Sequence, residues 1–149
     1  MGHQRPLYDE DYHAWLMDQA ASLRAAGSRI GTAIDADTVA EELEDMGKAQ
    51  RQALNSHLKV LYLHLLKWLY QPDHRKGGWR VSIRNARDEI QTLLDDSPSL
   101  RRFVEEIAPK AYLKARGNAA DETGLPMSTF PEEAPFTLLQ ALDDEYMPD

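Results

Sequence analysis

Val60-Leu61-Tyr62-Leu63-His64-Leu65-Leu66-Lys67-Trp68-Leu69-Tyr70 is the stretch on which the fold turns. Only His64 and Lys67 interrupt its apolar run. It is too short to cross a bilayer, which takes about 20 residues. Read as a helix, it is apolar on every face, and such a helix is buried on every face. The stretch therefore predicts the centre of a folded domain, or a surface against a partner chain.

Working outward, Val39, Leu43, Met46, Gln50, Leu54, Leu58, Leu61, Leu65 and Trp68 recur at steps of three or four. That spacing predicts one helix over Asp37–Tyr70, about 50 Å long at 1.5 Å per residue. Gly47 lies inside it, at about 1 kcal/mol relative to alanine, and marks where a kink or a break into two helices would fall. Pro72 ends it. Upstream, Tyr12, Trp15, Leu16, Ala20 and Leu23 predict a helix over Asp9–Ala26, capped by Asp9 and stopped by Gly27. Downstream, Trp79, Ile83, Ala86, Ile90 and Leu93 mark a helix that stops at Asp95-Asp96. Ser97 and Pro98 then read as the N-cap and first residue of another helix. Its stripe is Leu100, Phe103, Val104, Ile107, Ala111 and Tyr112. Pro109 predicts a kink or split in it, and Gly124 its end. Leu125–Pro135 is proline-punctuated coil, and Thr137 with Gln140 is spaced as the capping box of a short helix over Thr137–Leu142.

The expected fold is all-α: a compact bundle of about five helices around one long central helix, with an irregular, proline-rich C-terminal segment. Residues 1–7 are expected to be disordered or extended and residues 8–149 to form a single helical domain. A chain of 149 residues buries roughly 70% of its unfolded surface and needs no staple. There is no cysteine, which fits a reducing compartment. Met1 to Pro6 has no apolar stretch and Pro6 breaks the myristoylation pattern, so no export or lipid signal is read there. A cytoplasmic protein is the expectation. The net charge of -8 opposes phosphate attraction and makes nucleic acid an improbable partner.

Several strings carry a resemblance: Glu41-Glu42-Leu43-Glu44-Asp45-Met46-Gly47, Ser56-His57-Leu58, His64 to Pro72, Asp96-Ser97-Pro98-Ser99-Leu100, Thr123-Gly124-Leu125-Pro126, and Phe130 to Thr137. In order and spacing they resemble family twenty-nine of the bacterial domains of unknown function, from about Tyr8 to Pro148. Trp68 and Trp79 fall where that family carries its two tryptophans. Ala134 stands where such proteins often have cysteine, so a thiol there is not essential in this chain. The resemblance implies a helical fold and a bacterial origin, and it implies no activity.

Two constellations merit weighing. His57 and His64 lie on the apolar side of the long helix, with Glu42 and Asp45 nearer its edge. Together they are candidates for a transition-metal site if other helices converge on them. His57 and His64 are about 10 Å apart along the axis, so only one could ligate a given ion. The stronger expectation is a histidine hydrogen-bonded at the core edge, with no metal or cofactor. Glu10 and His13 form a single Glu-x-x-His spacing with no second copy, as chance produces. The second constellation is basic: Arg80, Arg84 and Arg87 share a helix face, and no basic residue follows Arg116. That face is expected to meet carboxylates of its own chain; an external anion or nucleic-acid partner is the alternative. No phosphate loop, dinucleotide pattern, zinc motif or nucleophile elbow occurs. The function expected is a non-catalytic helical interaction module, homodimeric through residues 37–94. A metal-binding protein or metal-dependent enzyme is the alternative, and a nucleic-acid-associated regulator a further one.

Overall fold

A computed structural model describes residues 4–149. Its helices are α1 (Gln4–Glu10), α2 (Tyr12–Ile30), α3 (Ala36–Tyr70), α4 (Gly77–Asp96), α5 (Leu100–Thr123) and α6 (Leu138–Leu142). Short 3-10 turns occupy Pro72–His74 and Met127–Thr129. There is no strand among the described residues. The expected all-α fold with one long helix is what the chain forms. The disordered or extended N-terminus expected over residues 1–7 lies outside the described residues at 1–3, and from Gln4 the chain is helical.

The chain divides into two compact units. The first comprises the chain up to Ala53 together with Leu93–Arg101, and the second Leu54–Thr92 together with Arg102–Asp149.

In the first unit, α2 begins and ends later than expected. Asp11, not Asp9, is its N-cap, with extended backbone and a side chain accepting from the Ala14 N–H at 2.9 Å. Gly27 does not stop the helix, which runs on to Ile30. Gly31 ends it at φ 86, a left-handed conformation that only glycine adopts without strain. Ser97 is fully buried and does not serve as the expected cap of α5. Its hydroxyl accepts from the His13 N–H at 2.9 Å and faces Gln50 at 3.4 Å. Asp11 takes both the N–H and the hydroxyl of Ser99, at 2.7 and 2.8 Å. The orphan N–H groups at the start of α2 are thus satisfied partly by Ser97, 84 residues away in sequence.

Gly47 does not break α3. A Cβ placed there would lie 2.5 Å from the Met17 terminal methyl and 3.3 Å from His13 Nε2. Side chains of α2 pack directly over this glycine, so any side chain there must displace the end of Met17 and crowd His13.

In the second unit, Leu54, Leu58, Leu61, Tyr62, Leu65 and Leu66 of α3 are buried. Ile83, Ala86 and Ile90 of α4 and the small-residue stripe Ala108, Ala111, Ala115 and Ala119 of α5 are buried in the same unit. The expectation that the end of α3 is buried on every face fails. Val60 is 40% exposed, and Leu63, Trp68, Leu69 and Tyr70 are only half-buried. Trp68 is shielded by cations instead of core: the Arg75 and Arg80 guanidinium carbons lie 4.7 and 5.0 Å from its ring centre. Pro109 sits inside α5 without splitting it, on the exposed side of the helix.

The proline-punctuated tail folds back onto this unit and is held through its backbone. Arg116 Nε donates to the Phe130 carbonyl at 2.8 Å, and the Tyr112 hydroxyl to that of Pro131 at 2.6 Å. Arg87 Nε donates to the Ala141 carbonyl at 2.7 Å and Nη2 to that of Tyr146 at 2.9 Å. Arg75 reaches the Asp149 carbonyl at 3.0 Å. Phe130 and Phe136 are buried as a result. The expected capping box is formed: Thr137 and Gln140 bond reciprocally at the start of α6.

Candidate partner-binding cleft

The residues weighed as candidates for the alternative metal site are not brought together. Among the described residues no group of three or more His, Asp or Glu side chains is placed to hold an ion. His64 Nδ1 donates to the Val60 carbonyl one turn back, at 2.8 Å. His57 is half-buried, and Glu42 and Asp45 are exposed. The histidine that does engage is His13: its Nε2 accepts from Arg51 Nη1 at 2.7 Å. Burial first, then the Arg51 charge, lowers its pKa, and Asp11 opposes them. No spacing signal in the sequence joins His13 to Arg51, because the pair spans two helices.

The basic face is also consumed differently from expectation. Arg87 is buried and uses carbonyls of the C-terminal segment where a carboxylate was expected. Burial lowers its pKa, while Asp144 and Asp143 pull the other way. Arg80 stacks on Trp68. Arg80, Arg84 and Arg87 together line a polar hollow of about 330 Å³, shared with Asp88, Asp144 and Glu145.

An apolar cleft of about 460 Å³ opens elsewhere in the second unit. One wall is α5, through Glu105, Ala108, Pro109, Tyr112 and Leu113; the other is the tail, through Glu132, Glu133, Ala134, Phe136 and Leu138. Tyr62 of α3 completes it. An aromatic group supports it: Tyr62 meets Tyr112 edge-on at 5.6 Å and stacks on Phe136 at 5.9 Å. Ring pairs at this separation hold one another in fixed orientation. The tail wall stays in place because Tyr112 and Arg116 grip the carbonyls on either side of Pro131's nitrogen. Leu113 is 55% exposed, an apolar side chain left partly in water at the cleft wall.

The two phenols at the cleft are held protonated. Burial, then the neighbouring Tyr112, pushes the Tyr62 phenol up to about 12. Burial, then Tyr70, raises the Tyr112 phenol to about 12 as well, with Arg116 opposing. Both remain neutral near pH 7, far from the range in which a general base works. The sequence reading missed this site, since its tail wall is mostly coil with no period of its own. The hint available was the dense Phe130-to-Phe136 string, whose aromatic residues flank two prolines and two glutamates within a short span.

Fold and site together define an all-α protein with a mostly apolar, acid-edged cleft walled by a helix and a pinned coil. The model of the domain of unknown function DUF29 matches residues 7–147, and the chain belongs to that family. No curated protein and no solved structure matches it.

Proposed function

We propose that the protein is a non-catalytic helical interaction module whose cleft receives a segment of a protein partner. The observation that carries this reading is the cleft itself. It is concave, mostly apolar in lining, and within the size range of binding sites. Its phenols are held neutral at working pH. The experiment is selection of a displayed random-peptide library on the immobilised protein and on the Leu113→Asp variant. Because Leu113 is half in water, that variant keeps its fold. Peptide families retained by the native protein and lost by the variant support the reading; families retained equally by both refute it.

Assembly as a homodimer in a bacterial cytoplasm belongs to the same proposal. The absence of cysteine suits a reducing compartment. Val39 and Met46, seven residues apart on α3, are 41% and 46% exposed, and a second copy offers them a two-fold related surface. A mass of 16.9 kDa by light scattering, persisting at high concentration, refutes the dimer.

A further inference from the structure

Resting on the reading of the cleft as a docking site, we infer that its occupant is a polypeptide segment with an apolar anchor flanked by lysine or arginine. The charged residues that line the cleft are Glu105, Glu132 and Glu133, all carboxylates. Glu105 belongs to the α5 wall and the other two to the tail wall, and all three are exposed. Negative groups beside a low-dielectric floor focus their field into the concavity. Backbone chemistry acts in the same direction. Pro109 has no N–H, so the Glu105 carbonyl lacks the donor that an α-helix supplies four residues on. The Tyr112 hydroxyl, a donor, is already spent on the Pro131 carbonyl. The rim therefore presents acceptors, and a donor-rich cation is the complementary group. The chain's net charge of -8 favours the same sign of partner at long range. A polypeptide fits better than a lone amine because the carboxylates stand on two separate walls. An anchor in the cleft with a cation on each side answers both walls, and consecutive residues of one chain supply that arrangement.

The test uses the full chain, the Leu113→Asp variant and the double variant Glu132→Lys/Glu133→Lys, whose changed side chains are solvent-exposed. Peptides that depend on Leu113 are expected to place Lys or Arg beside Leu, Ile or Phe. On the double variant the selected flanks should switch towards Asp or Glu. The affinity of a Lys- or Arg-flanked peptide should fall about tenfold there, the scale of a few exposed charge pairs. Leu113-dependent peptides with no basic bias, or a bias unchanged on the double variant, would overturn the inference while leaving the docking site standing. No Leu113-dependent peptide at all would overturn both. A long-chain alkylamine that binds as tightly as the best peptide would overturn the polypeptide assignment.

Discussion

Arg87→Met isolates the interaction that pins the C-terminal segment. Methionine keeps much of the apolar stem and removes the guanidinium. Two short bonds disappear, from Nε to the Ala141 carbonyl at 2.7 Å and from Nη2 to the Tyr146 carbonyl at 2.9 Å. Hydrogen bonds to a charged group contribute about 1.5–3 kcal/mol each, so the gross loss is about 3–6 kcal/mol. Removing a buried guanidinium also removes its desolvation penalty, the effect that lowers the Arg87 pKa. The net expectation is a loss of about 2–4 kcal/mol, most of it from carbonyls left without a donor. For a chain of this length that is a fall in Tm of roughly 4–16 °C. Arg87→Lys should recover little, because an ammonium cannot present two donors in a planar fork. Thermal unfolding measures the first quantity, and amide exchange over residues 138–149 the second, as faster exchange confined to that segment. A Tm within about 2 °C of the native protein, with exchange over 138–149 unchanged, would show that the tail is held by other contacts.

Two further outcomes follow from the first unit. Gly47→Val should lower stability by about 1–3 kcal/mol through overpacking. Gly47→Ala should be milder, since the nearest obstacle is the mobile end of Met17; urea midpoints order the two, and equal midpoints refute the close-approach argument. The His13 pKa is lowered below 6.5 in the folded state. The unfolded chain therefore binds the proton first, and stability is full above pH 6.5 and declines as pH falls through the lower folded value. His13→Gln should flatten that part of the urea-midpoint profile, and an unchanged slope would assign the pH dependence to other groups.

The sequence by itself determined what depends on neighbours in the chain. The three-four spacing from Val39 to Trp68 specifies α3, because one helix face recurs with that period. The residue before Pro72 resists helical geometry, and α3 ends at Tyr70. Thr137 and Gln140 satisfy each other's backbone groups within one turn, so their capping box needs no distant partner. Tertiary structure decided what depends on who faces whom. Gly47 reads as a break along the chain and is a contact with α2 in space. Ser97 reads as a cap for the helix that follows, yet its hydroxyl accepts from the N–H of His13, brought to it only by the tertiary fold. Arg87 reads as one member of an exposed basic face, and only the returning tail turns it into a buried clamp on carbonyls. The cleft has the least sequence signature of all, since its shape arises from the packing of α5 against a coil that carries no period of its own.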